Sequence, residues 1–556
     1  MSLCAIAHST GSHSELTIYP MKFFESVNSL VYLFLGFTLV AHNVMGDDGD
    51  TTHPNIIFIL ADDQGFGDVS ALNSESKIPT PNIDRLAKEG MYFSDAHTSS
   101  SVCTPTRYSV LTGRYHWRTR LQKSVLGGFS APLIDSDRLT VAGFLRDHGY
   151  ETACVGKWHL GMDWPLKEGG TADDKGNFSK KGSDIGWDVD YKAPIKNGPV
   201  DVGFDTFYGI SASLDMPPYV FIQNRIPTEE ATVEKAFHRP GPSGPNFEAV
   251  DVLPNITERT VEIIQEQGKK KTKSPFFIYF PLNAPHTPIV PSKEWLGKSG
   301  INDYGDFTMQ VDDTVGQVLD ALDSSGLTDN TLIIFTTDNG CSPQADFPTL
   351  AAAGHEPSYI YRGHKADIFE GGHRVPFLAR WPGKIKAGTK SDQMIGQFDL
   401  IATAAEIIGE KVPDGAGEDS ISFLPALRGE EATIRSSLIS QSINGSFAIR
   451  DGNWKLALCA DSGGWSDPRP GRVDTSEMPS VQLFDLSADP GEKNNLALEE
   501  PERVAAMTKA LKKAINDGRT TPGPKLENDV PITIIKTVPK SAKPKGKAKA
   551  SKKKAA

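Results

Sequence analysis

The chain has 556 residues, with 58 Lys+Arg against 70 Asp+Glu, a formal net charge of −12, 38% hydrophobic residues and 23% charged residues. Such a composition belongs to a globular protein able to bury large cores, and it excludes fibrous, wholly disordered and multi-span membrane chains. The acidic balance argues against nucleic acid as a partner of the folded body, and Cys4, Cys103, Cys154, Cys341 and Cys459 form no CxxC pair or zinc spacing.

Nearest the start, the apolar run from Ser29 to Ala41, SLVYLFLGFTLVA, follows Met21 and Lys22 and precedes Val44, Gly46 and an acidic DDGD stretch. It is short for a spanning helix and fits the core of a signal peptide, the alternative being an N-terminal membrane anchor, since Lys22 is the one positive charge before it and Glu25 partly cancels it. Residues 21–46 are therefore expected to be a signal, 1–20 an upstream extension, and the protein exported, periplasmic or secreted.

From NIIFIL onward, short apolar runs alternate with amphipathic stretches: NIDRLAKEG, RLTVAGFLRDHG, ETACVG, SPFFIYF and NTLIIFTTD follow in turn. The alternation predicts an α/β fold over 47–436, a large, mostly parallel sheet sandwiched by helices. One helix is expected over Phe307–Leu322, where Met309, Val311, Val315, Val318, Leu319 and Leu322 share a stripe and Gly326 supplies a stop. From Ser437 the texture changes. NG and DG turns between alternating segments predict antiparallel hairpins, and PERVAAMTKALKKAINDG predicts a closing helix, so 437–520 reads as a smaller α+β domain. Residues 521–556 contain nine lysines from Lys536 to Lys554 without an apolar period, which predicts a disordered tail.

In an open α/β sheet, ligands bind beyond the carboxyl ends of the strands, so the loops after the apolar runs carry the chemistry. Asp62 and Asp63 follow NIIFILA; Asp338 and Asn339 follow NTLIIFTT. Either pair alone is equally explained by helix capping or a turn. Together, three carboxylates and an amide oxygen converging from two strands would make a hard-oxygen site for Ca²⁺ or Mg²⁺.

A third loop, SVCTPTRYSVLTG over 101–113, contains C-x-P-x-R and a T-G ending, and a fourth, GYETACVGKWHLG over 149–161, feeds Lys157 and His159 from a strand. On these residues the chain resembles the type I, formylglycine-dependent sulfatases of the alkaline-phosphatase-like superfamily, of the arylsulfatase and N-acetylgalactosamine-6-sulfatase kind. NAPHTP with His286, RGHKADIFEGGHRVPF with Lys365, and LFDLSADPGEKNNLA near the end extend the likeness over 55–496.

The resemblance implies a sulfuric ester hydrolase in which a formylglycine-generating or sulfatase-maturating enzyme oxidises Cys103 to formylglycine. Asp62, Asp63, Asp338 and Asn339, with residue 103, would hold Ca²⁺ or Mg²⁺; Arg107 would hold the hydrated aldehyde or a ligating carboxylate. Lys157 and Lys365 would clamp sulfate oxygens. His286, helped by Lys365, would protonate the leaving oxygen, and His159 would take the proton that lets sulfate depart. The rival readings are a phosphodiesterase or phosphonate hydrolase of the same superfamily, and an unmodified sulfated-glycan binding protein.

For the substrate, GFDTFYGISASLDMPPYVFIQNR offers aromatics that would line a pocket and Asp215 to accept from sugar hydroxyls. Arg362 is a second substrate-binding expectation, and His97, His116, His355 and His364 flank the motifs. The likeness points to a sulfated carbohydrate, 6-O-sulfated galactose or N-acetylgalactosamine.

Overall fold

The apolar runs form strands because both of their faces are covered. In a computed structural model, which describes residues 53–535 except 178 and 272–273, β1 (Asn55–Ala61) is buried at all seven positions. Its side chains alternate between two cores: Ile56, Phe58 and Leu60 join one, Ile57, Ile59 and Ala61 the other. The expected signal segment and the lysines from Lys536 on lie outside the described residues.

The other central strands are β2 (Glu151–Lys157), β3 (Thr206–Ile210), β4 (Phe276–Pro281), β5 (Thr331–Thr337) and β6 (Phe377–Arg380). They lie in the order β6-β5-β1-β4-β2-β3 within a ten-stranded sheet. All of these pairings are parallel except β5 with β6. Helices cover both faces. The expected 307–322 helix runs over Asp303–Ser324 and sends Phe307, Val311, Val315, Val318, Leu319 and Leu322 into one core. Met309, expected on that stripe, packs instead with Tyr304 and Leu350 in a small separate cluster.

The hairpins also form. Strands β7 (Ser437–Gln441), β8 (Phe447–Asp451), β9 (Trp454–Ala457) and β10 (Gln482–Asp485) make an antiparallel sheet of four. Gly452, in the DG turn, has φ 55, a left-handed conformation that glycine adopts without a Cβ clash. The helix Pro501–Asn516 buries Met507, Leu511 and Ile515 against this sheet, in a cluster that also takes in Tyr115 and Trp117. The described residues form one compact unit.

Residues 521–535, expected within the tail, lie against the body instead. Asp529 pairs with Arg114 at 2.8 Å, Asn528 accepts from Arg118 at 2.9 Å, and Ile532 and Ile534 pack on the cluster under the small sheet. Their apolar residues are too few to show a period, so only these specific partners order them.

A buried ion network joins the small sheet to the loops of the large one. Lys455, on β9, lies 3.1 Å from Glu370, 2.8 Å from Glu492 and 3.0 Å from His373 Nε2. His97, Glu370 and His373 have the spacing of a metal site, but the Lys455 ammonium already supplies the cation. Lys455→Met should cost about 3–5 kcal/mol in denaturant unfolding, because two buried carboxylates lose their shared partner. A loss within about 0.5 kcal/mol, the usual surface effect, would show that the network is dispensable.

Candidate active site

Parallel register brings the strand ends together: Ala61 pairs with Thr337, Leu60 with Pro281 and Lys157 with Ile210. The loops beyond them are stitched by backbone bonds, Asp62 N–H to Ala284 O at 3.0 Å, Asp338 N–H to Ala61 O at 3.1 Å and His159 N–H to Ser211 O at 2.9 Å. Asp63 takes φ 69, an uncommon conformation for a residue with a Cβ, and one that persists only where its surroundings over-determine it. Here its N–H donates to Asp338 Oδ1 at 3.3 Å and its side chain meets two further groups.

Cys103 opens α1 (Cys103–Thr112), every residue of which is buried. Pro105 sits in the first turn, where a missing N–H breaks no helical bond. Gly113 ends the helix at φ 64, its N–H bonded to Ser109 O, and a Cβ there would lie 2.5 Å from Ile401 Cγ2. Pro105 and Gly113 thus have backbone reasons, and the Thr112 hydroxyl donates to Tyr108 O at 2.8 Å within the helix, which leaves Cys103 and Arg107 of the C-x-P-x-R…T-G motif to the chemistry. Arg107 follows one turn later on the same helix face. It donates to Asp338 Oδ2 through Nε at 3.1 Å and Nη2 at 2.7 Å, and to Lys157 O through Nη1 at 3.1 Å. Of the two contacts expected of it, the structure contains the one to a carboxylate.

Around Cys103 the expected residues converge. One ligand-type atom each from Asp62, Asp63, Cys103 and His286 lies within 4.8 Å of the others. Lys157 Nζ is 2.5 Å from Asp62 Oδ2, Lys365 Nζ is 2.6 and 2.8 Å from the two Asp63 oxygens, and Asn339 Nδ2 donates to Asp63 Oδ1 at 2.8 Å. Both lysines, expected to face sulfate, here pair with carboxylates. Burial, then the Asp62 charge, push the Asp338 carboxyl up to about 7 despite Arg107 beside it. At Asp62, burial is outweighed by Lys157, His286 and Arg107, which hold its carboxyl well below the usual range.

The donor set fits a divalent cation. Asp62 Oδ1 and Asn339 Oδ1 are buried with no hydrogen-bond partner, and a buried bare oxygen is costly unless something positive meets it. All the protein oxygens come from carboxylates and an amide, which suits a hard ion.

The histidines divide into two groups. His159 Nε2 lies 2.8 Å from Leu126 O, which fixes that nitrogen as the donor and leaves Nδ1 a buried, unpartnered acceptor. Burial, then Lys157, hold its pKa well below the ordinary value, so it stands neutral. His286 Nδ1 is 2.6 Å from Thr287 O, and its Nε2 faces Asp63 Oδ2 at 3.7 Å and Ser213 Oγ at 3.5 Å. Burial and then Lys365 oppose its charge, yet Asp63 and Asp62 raise its pKa above the ordinary value.

His97, His116 and His355 are buried in the fold, bonded to Asp95, Gln441 and Asp68 respectively. Of the aromatics expected to line a pocket, Phe204, Phe207 and Tyr219 are instead core residues, while the partly buried Tyr208 and Phe221 stack on each other with ring centroids 5.4 Å apart. Asp215 is largely buried, its Oδ2 paired with Arg239 and its Oδ1 without a partner. Burial at Asp215 is outweighed first by His286, then by Arg239, so its carboxyl stays below the usual range and shares a field with the catalytic cluster. Arg362 lies over the Phe369 ring at 3.8 Å and donates to Glu492 O at 2.8 Å, half-buried at the rim of a cavity.

Two residues were not singled out from the sequence. Ser213 meets His286, and Gln64 has both side-chain polar atoms buried without partners directly after Asp63. Gln64 was legible as the next residue past a loaded strand end; Ser213 had no sequence signal, since only register brings it to His286.

Known proteins are similar to this chain. The sulfatase family profile matches residues 54–410. The chain is 34% identical over 517 residues to the N-acetylgalactosamine-6-O-sulfatase of Bacteroides thetaiotaomicron, covering 88% of this chain and 99% of that protein. It is 30% identical over 492 residues to human arylsulfatase A, covering 85% and 90%. A solved structure of a Bacteroides thetaiotaomicron protein, from a core genetic locus for glycosaminoglycan metabolism, matches with a TM-score of 0.71 at 32% identity, over 84% of this chain and 99% of that one. Site chemistry, fold and kinship agree, and the chain belongs to the sulfatase family, a sulfuric ester hydrolase.

Proposed function

We propose that this sulfatase removes 6-O-sulfate from galactose or N-acetylgalactosamine units of sulfated glycans. Kinship with an N-acetylgalactosamine-6-O-sulfatase along nearly its full length supports the sugar. The observation that carries the chemistry is the burial of Cys103 among Asp62, Asp63 and His286. Asp62, Asp63, Asp338 and Asn339, with residue 103, would hold Ca²⁺ or Mg²⁺, which supplies fixed positive charge where the sulfuryl group is negative. Formylglycine, made from Cys103 by a formylglycine-generating or maturating enzyme, would supply, once water has added to its aldehyde, two geminal hydroxyls, one to attack sulfur and one to release sulfate.

The remaining work falls to the chain's own side chains. A sugar alkoxide is a poor leaving group, so its oxygen needs a proton. His286 gives it from Nε2, since Nδ1 is committed to Thr287 O. His159, with Nε2 committed to Leu126 O, accepts a proton at Nδ1 from the hydroxyl of residue 103 that stays behind. Three carboxylates already balance Arg107, Lys157 and Lys365. With a divalent ion held by those carboxylates the site would carry an excess of positive charge, and Lys157 and Lys365 would present it to an anionic sulfate. The apolar run at 29–41 supports export, to periplasm or medium, where such glycans are met.

Sulfate release from defined disaccharides tests this reading. Matured protein should desulfate the 6-O-sulfated isomer at least about 10-fold faster than the 4-O-sulfated one. Chelation should abolish turnover and Ca²⁺ or Mg²⁺ restore it. Preference for a phosphate diester or a phosphonate over every sulfate ester would overturn it.

A further inference from the structure

The loop that carries Lys365 also forms the wall of a cavity of about 430 Å³, lined by Pro343, Gln344, His364, Trp465 and Arg469. None of these belongs to the catalytic cluster. The cavity is built rather than incidental. Asp367, fully buried, accepts from the backbone N–H groups of Trp465 at 2.7 Å and Ser466 at 3.0 Å through one oxygen, and from His364 N–H at 3.0 Å through the other. Gly464 lies so close to Ala366 that a Cβ would stand 2.4 Å from its carbonyl oxygen. The Trp465–Arg469 segment is thus keyed to 364–367, on either side of Lys365.

Several of its donors are uncommitted, although Gln344 Oε1 accepts from Ser342 Oγ. The Arg469 guanidinium, the Trp465 indole N–H and the Gln344 amide N–H₂ have no side-chain partner among the described residues. His364 Nδ1 is 2.9 Å from Lys365 O, which leaves Nε2 an acceptor. An aromatic face suits the apolar face of a sugar ring, and the amide and imidazole suit its hydroxyls. A guanidinium suits a carboxylate or sulfate. On a chain of net charge −12, an anionic polymer is held where a cation is available to it, and Arg469 offers one that no carboxylate among the described residues neutralises.

We infer that this cavity binds a neighbouring sugar of the substrate glycan, one bearing a carboxylate or a sulfate. The inference rests on the glycan reading above and adds that the enzyme recognises an acidic oligosaccharide rather than a single sulfated sugar.

The test compares Arg469→Met, Arg469→Lys and Trp465→Ala with the parent enzyme on four substrates. These are a 6-O-sulfated monosaccharide and three disaccharides in which that sugar is joined to a uronate, to a sulfated sugar or to a neutral sugar. Arg469→Met should lower kcat/KM by about 10- to 100-fold, mostly through KM, on the acidic disaccharides, the loss of one charge-assisted bond. It should leave the monosaccharide unchanged. Arg469→Lys should recover part of the loss, and Trp465→Ala should weaken all three disaccharides. The acidic disaccharide that loses more identifies carboxylate or sulfate as the partner. Equal losses on monosaccharide and disaccharide, or no loss on either acidic disaccharide, would overturn the inference and leave the glycan reading intact. A parent enzyme that hydrolyses nitrophenyl sulfate but no sulfated sugar would overturn that reading, and this inference with it.

Discussion

Cys103→Ala, metal-loaded and compared with the matured parent, should lower kcat by about 10⁴- to 10⁶-fold, the scale on which a covalent nucleophile is missed. The folded state should hardly change, because α1 is set by Pro105, by Gly113 at φ 64 and by Arg107 on Asp338 rather than by the thiol. Cys103→Ser separates nucleophilicity from the need for two hydroxyls. Serine has one hydroxyl with which to attack and none with which to release sulfate, so it should manage at most one turnover per enzyme. Multiple turnovers by the Ser variant would mean that sulfate leaves by another route.

The second large effect divides the histidines. His286→Ala should cost about 10²- to 10⁴-fold on an alkyl sugar sulfate, whose departing oxygen needs a proton. The same change should cost far less on a nitrophenyl sulfate, whose phenolate leaves unprotonated. His159→Ala should slow both substrates alike, because it acts on the hydroxyl of residue 103 after the alcohol has gone, and should give a burst of nitrophenol followed by slow turnover. Equal losses on both esters for His286→Ala, with no burst for His159→Ala, would reverse the two assignments. The geometry favours the division as stated: His286 Nε2 sits beside the Asp63 carboxylate, and His159 Nδ1 is an acceptor without a partner.

Much of this site was legible before the fold, for a physical reason. Strands buried on both faces are continuous apolar runs, and the first polar residues after them must lie at the sheet's carboxyl edge, so Asp62, Asp63, Asp338, Asn339 and Lys157 announced themselves. Register alone then brought them together. What stayed hidden depends on partners distant in sequence. Nothing near Asp215 shows that Arg239 will hold it, and nothing near Lys455 shows that Glu370 and Glu492 will share it. Phe204, Phe207 and Tyr219 misled because core and carbohydrate pocket use the same side chains, and only burial separates them. The anchoring of 521–535 turns on Arg114 and Arg118, which look like surface charges until the chain returns to them.

The central claim is that residue 103 works as an oxidised cysteine. Mass spectrometry of the tryptic peptide 89–107, from an active preparation whose sulfate release is measured in parallel, tests it most directly. The account predicts a peptide that has lost sulfur and two hydrogens and gained one oxygen, in a fraction that rises in proportion to specific activity. Full sulfatase activity in a preparation whose peptide carries only the thiol would contradict it.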